Sequence, residues 1–239
     1  MNIIKSVTVL ALCLSCGHLS AQDSTFKLGI RLGGGMSVTT GLDKILVPED
    51  YYSNYNFKDK WQLTPTVGVF AQYHVDGSII GVEGGFSYWQ KASQLVYNDN
   101  KELNYKVTPR YNYIGVSALL KIYPWRRGFN IALGGRAGAN LNGKGISYKS
   151  NQEDEKFAKY KFATVSETER LMKEKLTGQP DIAVGGGFGY EIGKHWNIDL
   201  RYFLGLNSTI KTERNDYNWA EHSTHGQSIE LSISYLFKL

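Results

Sequence analysis

Several short groups of polar residues approach catalytic or metal-binding motifs, and each lacks a component that its chemistry requires. Glu221, His222 and His225 carry metal-binding side chains, but the Ser, Thr and Gly residues around them predict a loop rather than a helix. Residues 138–144 approach a phosphate-binding loop, yet Gly145 stands where Ser or Thr must bind magnesium. Any triad of Ser, His and a carboxylate would be arbitrary. We therefore predict no catalytic, cofactor-binding or metal-binding residues.

The most informative polar residues are six charged side chains in the middle of segments that otherwise hold apolar or small residues. They are Arg31, Glu83, Arg136, Asp199, Arg201 and Glu230. Counting alternate residues along each segment places all six on the same face, and charges buried inside a protein must be paired. We predict a structural network of salt bridges that fills the interior. A binding site or a proton relay is the alternative.

The segments that carry these charges repeat every two residues, which predicts β-strands. In the first segment, Phe26, Leu28, Ile30 and Leu32 alternate with residues that are polar or glycine. The same alternation recurs in seven further segments. These begin near Val67, Ile80, Ile114, Ile131, Ile182, Trp196 and Ile229.

The connections between these strands alternate in length. Three are a few residues long, whereas the other four span residues 39–61, 91–108, 142–180 and 209–226. This alternation is typical of outer-membrane barrels. We predict an all-β fold, an eight-stranded antiparallel up-and-down transmembrane β-barrel with short periplasmic turns and long extracellular loops. Residues 153–176 are rich in Lys and Glu and poor in Gly and Pro, which predicts some helix in the longest loop.

The apolar face of each predicted strand contains no charged residue, which favours a lipid-facing exterior. A charge near the bilayer midplane costs about 2–4 kcal/mol. A soluble, lipocalin-like barrel with the two faces inverted is the alternative. Aromatic residues at the strand ends favour the membrane barrel, because such residues form belts at both interfaces. The predicted belts are Trp61, Trp89, Tyr111 and Tyr113 at the long-loop rim, and Tyr73, Tyr123, Trp125, Trp196, Tyr235 and Phe237 at the short-turn rim.

The first residues have the features of an export signal. Lys5 precedes a short apolar stretch, and small residues precede Gln22. We predict a signal peptide at residues 1–21 and an outer-membrane β-barrel domain at residues 22–239. Cleavage there removes Cys13 and Cys16, the only two cysteines, and lipid attachment at Cys16 is the alternative. The net charge of +5 is spread thinly over 239 residues, which argues against nucleic acid as a partner.

Two stretches of the sequence resemble a known family. Residues 113–124, YIGVSALLKIYP, resemble the fourth-strand signature of the PorT-like outer-membrane β-barrel proteins of Bacteroidetes-type bacteria, with Gly115 and Ser117 in place of the usual Glu and Pro. Residues 181–191, DIAVGGGFGYE, are similar to the glycine-rich sixth strand of that family. The resemblance implies an eight-stranded barrel in the outer membrane. One member is linked to a protein secretion system.

These features predict a non-enzymatic outer-membrane protein that acts as a scaffold or interaction module. Its lumen is expected to be plugged and non-conducting, because an eight-stranded barrel has room for side chains but not for a channel. The expected partners are outer-membrane lipid and an envelope or secretion-system protein, and no cofactor is expected. A rim-located lipid-modifying enzyme and a soluble lipocalin-like carrier are the alternative functions.

Overall fold

The computed structural model describes most of the chain from residue 24 onward. The described residues are 24–46, 56–75, 77–98, 104–125, 128–151, 164–193, 195–212 and 222–238. The predicted signal peptide, with Cys13 and Cys16, lies outside these ranges, as does Glu221. The structure therefore leaves the predicted cleavage site and the predicted domain boundary at residue 22 untested.

Eight strands pair antiparallel with their neighbours and close into a ring, which confirms the predicted fold class. In the order of the ring they are β1 (Ser24–Thr40), β2 (Asn56–Val75), β3 (Ile80–Asn98), β4 (Asn104–Ile122), β5 (Phe129–Asn140), β8 (Asp181–Ile192), β9 (Trp196–Gly205) and β11 (His225–Lys238). Pairing of β11 with β1 closes the ring. Closure leaves no open edge, so the backbone of the ring is hydrogen-bonded within the protein, as a hydrocarbon environment requires.

Short turns join three pairs of strands at one end of the ring. Gly77 and Gly193 lie in two of these turns with φ of 78° and 62°, a left-handed conformation that side chains other than glycine rarely adopt. Such turns reverse the chain within a few residues. The strand that leaves each turn therefore pairs with the strand that enters it.

The outer face of the ring is apolar and the inner face is polar. In β9, Ile198, Leu200 and Tyr202 are exposed, whereas the intervening Asp199 and Arg201 are buried. The same alternation, with large hydrophobic residues exposed, occurs on each of the other strands of the ring. Because the charges face inward and the hydrocarbon side chains face outward, the inverted, lipocalin-like arrangement is wrong.

The links at the other end of the ring contain more regular structure than predicted. β3 and β4 continue through most of residues 91–108, which we predicted to be a loop, and β2 begins at Asn56. The remaining elements are α1 (Leu42–Leu46), β6 (Ile146–Ser150), α2 (Val165–Lys175), β7 (Leu176–Gly178) and β10 (Ile210–Thr212). β6 pairs with the extended part of β4, and β7 pairs with β10. The predicted helix in the longest link is confirmed as α2.

A bulge in β2 marks the level at which β2, β3 and β4 leave the ring. The register between β2 and β3 shifts between Trp61 and Thr66, which interrupts their ladder of hydrogen bonds. Ser37 of β1 replaces the missing hydrogen bonds. Its hydroxyl accepts from the backbone N–H of Ala92 at 2.6 Å and donates to the carbonyl of Ala92 at 2.7 Å. The extended sheet therefore begins without leaving these buried backbone groups unpaired.

Part of the predicted aromatic belts is wrong. Trp89, Tyr111, Tyr113 and Tyr123 are buried inside the protein, at most 1% exposed, because they share the inward-facing alternation of their strands. The remaining predicted belt residues are at least partly exposed. Trp125 and Trp196 at the short-turn rim are the most exposed, at 72% and 50%. None of the helices formed by the described residues is long and apolar enough to cross a membrane.

Candidate functional site

All six predicted interior charges point into the lumen. Glu83, Arg136, Asp199 and Arg201 are buried, and Arg31 and Glu230 are half-buried. They come from five strands of the ring, and backbone pairing around the ring holds each at a fixed height. Together with further charged residues of the lumen, they form ion pairs in three layers, which we call the lower, middle and upper layers, counted from the short-turn rim.

The middle layer is centred on the carboxylate of Glu83, which is fully buried. Nη2 of Arg31 lies 2.8 Å from Oε1, Nη1 of Arg201 lies 3.0 Å from Oε1, and Nζ of Lys121 lies 3.0 Å from Oε2. Arg201 adds a second hydrogen bond to Oε2 at 3.1 Å, so its guanidinium binds both carboxylate oxygens. The single negative charge of Glu83 thus partly compensates the positive charges of three side chains inside the barrel.

Asp199 is the second anion of the middle layer. It lies 3.1 Å from Arg201 and 3.5 Å from Arg31, and the amide of Asn197 donates to it at 2.8 Å. The guanidinium of Arg31 also lies 4.3 Å from the centre of the Phe70 ring, a cation–π contact. Two arginines and two carboxylates therefore alternate across the lumen.

The upper layer joins Arg136 to two carboxylates. Arg136 lies 2.5 Å from Glu230 and 3.3 Å from Asp181, and Asp181 also accepts from Lys91 at 2.6 Å. The guanidinium of Arg136 contacts the rings of Trp89 and Phe203, at 4.7 Å and 4.2 Å. This cation is therefore held by ion pairs on its edge and by aromatic rings on its faces.

The lower layer combines one ion pair with neutral hydrogen-bonding groups. Lys27 lies 3.1 Å from Glu191, and Glu191 also accepts from Gln72 at 2.7 Å and from Tyr123 at 2.8 Å. Gln72 in turn accepts from Lys121 at 3.0 Å, which links this layer to Glu83 in the middle layer. Polar contacts thus continue from the short-turn rim to the middle of the barrel.

The prediction from sequence missed five members of this network: Lys27, Lys91, Lys121, Asp181 and Glu191. The alternation that places Ser117 inward also places Lys121 inward, so the signal for Lys121 was present in the sequence. Lys91 was assigned to a predicted loop, and Asp181 was placed at the very start of a predicted strand, away from the central charges. Lys27 and Glu191 lie near the short-turn ends of their strands, outside the central charges that were counted.

An apolar cluster lies above the upper layer, and we call it the cap. Its buried members are Leu42, Ile45, Trp89, Leu95, Val107, Tyr111, Tyr113, Ile146, Met172, Leu176 and Ile210. They come from α1, α2, β6, β7, β10 and the upper parts of β3 and β4, so all four long links contribute. The indole N–H of Trp89 donates to Asp181 at 2.9 Å and joins the floor of the cap to the charge network.

The cap contains polar groups whose environment changes their proton affinity. Burial raises the pKa of the Tyr148 hydroxyl, which lies on β6 beside Tyr105. Partial burial, with a smaller contribution from Asp43, raises the pKa of Asp59 to about 6. These groups lie beyond the apolar outer band, in the part of the protein formed by the long links. Both shifts disfavour the charged form, as expected for partly buried groups.

The remaining candidate residues for chemistry lie apart from one another. Among the described residues, no three His, Cys, Asp or Glu side chains come together in a way that could hold a metal ion. His74 hydrogen-bonds to the carbonyl of Ser78, and His195 to the carbonyl of Leu236, both near the short-turn rim. The lumen and the cap are therefore the candidate functional regions among the described residues.

The layered network bridges the full width of the barrel. β3 and β9 are separated by three strands in either direction around the ring, so they face each other across the lumen. Glu83 and Arg201 connect these opposite strands at 3.0 Å. At this level, the side chains of opposing walls are in direct contact. The interior can hold charges in fixed positions. At this level, side chains joined by ion pairs and hydrogen bonds span the lumen.

Comparison with known proteins identifies a family and finds solved structures that are similar at a low level. A family model described as "Outer membrane protein beta-barrel domain" matches residues 9–237. Neisserial surface protein A is 10% identical, with 90% of this chain and 99% of that chain covered and a TM-score of 0.41. OprG from Pseudomonas aeruginosa is 13% identical, with 92% of this chain and 100% of that chain covered and a TM-score of 0.41. Outer membrane protein W of E. coli is 13% identical, with 91% of this chain and 100% of that chain covered and a TM-score of 0.38. No functionally curated protein matches the sequence significantly.

Proposed function

The chain belongs to the outer membrane protein beta-barrel domain family, and from that premise we propose that it is a non-enzymatic scaffold or interaction module with a plugged lumen. Its location is the outer membrane. In this role, the barrel anchors the cap on the outer surface of the cell. The cap, rather than the lumen, then meets a partner in the envelope or a secretion system.

The observation that supports a plugged lumen best is the contact between Glu83 and Arg201. These residues come from opposite walls, and the carboxylate is fully buried. Opening a path for solutes would separate them and deprive each buried charge of one of its partners, which is unfavourable. The upper and lower layers add further ion pairs that would also have to separate.

The cap supports the role of an interaction module. A loop that only connects strands need not bury apolar residues, yet four separate links here contribute to one cluster. Burying each such side chain stabilises the cap by about 1.5–3 kcal/mol. The cap therefore presents a fixed surface, which lowers the entropy that binding a partner costs.

Two finer assignments belong to the same proposal. The resemblance of residues 113–124 and 181–191 to PorT-like proteins supports a link to protein secretion. The composition of residues 1–21 supports their removal as a signal peptide, and N-terminal sequencing of the mature protein tests it. A lipid-modifying enzyme at the rim has less support, because His74 and His195 bind backbone carbonyls in the structure.

Conductance of the purified protein in a planar lipid bilayer tests the plugged lumen. We expect no steady current steps from the wild-type protein, under conditions in which a reconstituted porin, the positive control, does conduct. Stable, reproducible single-channel steps would show that the network does not close the barrel. Turnover of outer-membrane lipid by the same preparation would instead favour the enzyme.

A further inference from the structure

The extended sheet of β2, β3, β4 and β6 carries a basic surface on its outer side. We call this surface the basic face. Its exposed members are Lys58, Lys60, Lys106, Arg110 and Lys149. Three of them form one row across the sheet, because Lys58 pairs with Val96, Val96 with Lys106, and Lys106 with Lys149. On this side of the sheet, the described residues include no Asp or Glu.

The arrangement of the basic face is unfavourable without an anion. Lys106 and Lys149 lie directly opposite each other on neighbouring strands, and like charges in that position destabilise a sheet. Within the part of the chain that the structure describes, neither lysine forms an ion pair. An external anion that binds both lysines would remove this repulsion.

The basic face continues the lipid-facing side of the barrel. On β4, Arg110 and Lys106 share the outward alternation of Ile114 and Val116, and Val116 is 58% exposed on the apolar outer band. At about 3.3 Å per residue, Arg110 lies about 13 Å and Lys106 about 26 Å along the strand beyond Ile114. A lipid whose chains pack on Val116 must therefore extend its headgroup past these two cations.

A belt of neutral polar groups marks the transition between the two regions. The amide of Gln90 donates to Asn112 at 2.7 Å, and the hydroxyl of Tyr88 donates to the same oxygen at 3.0 Å. Arg110 donates to Gln90 at 2.6 Å, which fixes the guanidinium at the upper edge of the belt. The outer surface thus changes from hydrocarbon to amides and then to cations along one set of strands.

We propose that the basic face binds the phosphorylated saccharide headgroup of a glycolipid in the outer leaflet. An arginine guanidinium binds phosphate oxygens in pairs, and lysines bind them as point charges. The continuity with the apolar band favours a membrane lipid over a soluble polyanion, because the hydrocarbon chains and the headgroup would contact one uninterrupted surface. This proposal depends on the outer-membrane location and not on the scaffold role.

Binding of lipopolysaccharide to the purified full chain in detergent micelles tests the proposal. Removing one surface lysine is expected to weaken binding about 5-fold, and the double variant Lys106→Gln/Lys149→Gln about 25-fold. Lys211→Gln is the matched control, because Lys211 is exposed on β10 and lies outside the basic face. Lipopolysaccharide stripped of its phosphates should lose binding to the wild-type protein by a similar factor.

Two results would overturn the proposal. One is equal binding of intact lipopolysaccharide by the wild-type protein and the double variant. The other is binding of soluble polyphosphate as tight as that of lipopolysaccharide, with the same dependence on the lysines, which would assign the face to a soluble polyanion.

Stability measured without glycolipid provides an independent test. Lys149→Gln removes the repulsion with Lys106, so it should raise the midpoint of urea unfolding in glycolipid-free micelles. A lower midpoint would contradict the premise that the lysine pair is uncompensated. None of these variants should alter the conductance of the protein, so failure of this proposal is distinguishable from failure of the plugged lumen.

Discussion

Neutralising Glu83 is expected to destabilise the barrel more than neutralising any exposed carboxylate. Glu83→Gln keeps the size of the side chain but removes the charge that three cations share, at 2.8–3.0 Å. Asp199 still neutralises the two arginines in part, whereas Lys121 retains only its hydrogen bond to Gln72. Removing one partner of a buried ion pair costs about 3–5 kcal/mol, and we expect a loss in that range.

The free energy of unfolding can be measured by urea titration of the protein in lipid vesicles, with tryptophan fluorescence as the signal. Glu169→Gln is the matched control, because Glu169 forms a single, partly exposed ion pair with Lys173 on α2. Pairs of that kind contribute about 0.3–0.5 kcal/mol. Glu83→Gln is therefore expected to lower the free energy of unfolding about ten times as much as Glu169→Gln.

A double variant tests the physical reason for the loss. Lys121→Met removes the cation that Glu83→Gln leaves without a counter-charge, so the double variant should be more stable than the sum of the two single losses predicts. Coupling energies for residues in direct contact are about 0.5–3 kcal/mol. If Glu83→Gln costs no more than Glu169→Gln, or if the two changes at residues 83 and 121 are simply additive, the charges do not form the network described.

Two further perturbations separate the lipid-facing band and the cap from the rest of the protein. Val116→Lys should cost about 2–4 kcal/mol and impair assembly, measured as loss of the heat-modifiable band on a gel. Leu141→Lys should cost about 1 kcal/mol or less, because Leu141 is exposed beside Asn112, at the polar upper edge of the apolar band. Equal effects would contradict a lipid-facing exterior. Replacing residues 142–180 by a short Gly-containing link should preserve the barrel, since β5 and β8 pair without it, but should expose the remaining cap residues to a hydrophobic dye. Failure of the truncated chain to insert would show that the link is needed for folding.

The faces of the strands could be predicted from sequence because they depend only on local alternation. Ile198, Asp199, Leu200 and Arg201 alternate within one strand, and each side chain has the orientation that the period of two requires. The partners of each charge could not be predicted in the same way. The contact between Glu83 and Arg201 depends on closure of the ring, which places β3 opposite β9.

The errors concern residues for which residue type was given more weight than position. Tyr113 was assigned to an interfacial belt because it is aromatic and near a strand end, although it shares the inward alternation of Lys121. Residues 91–108 were assigned to a connecting loop, but β3 and β4 continue through most of them. Pro109 cannot donate to a ladder of hydrogen bonds, yet it lies within β4, opposite Ile146 of β6.

The cap could not be predicted because its members are brought together only by the folded chain. Leu42, Met172 and Ile210 belong to three different links and show no common period in the sequence. Residues 153–176 did show a helical composition, and α2 lies within that range. Local composition therefore identified an element of the cap, whereas its packing partners depend on tertiary structure.

Labelling of single cysteines on intact cells tests most directly whether the long links form a packed cap on the cell surface. The mature chain has no cysteine if residues 1–21 are removed, so Met172→Cys and Glu174→Cys each introduce one thiol on α2. Met172 is 5% exposed, whereas the Glu174 side chain is 44% exposed. A membrane-impermeant maleimide should label Glu174→Cys rapidly and leave Met172→Cys protected until the protein is denatured. Equal, rapid labelling of both would contradict the packed cap, and no labelling of Glu174→Cys would contradict its location outside the cell.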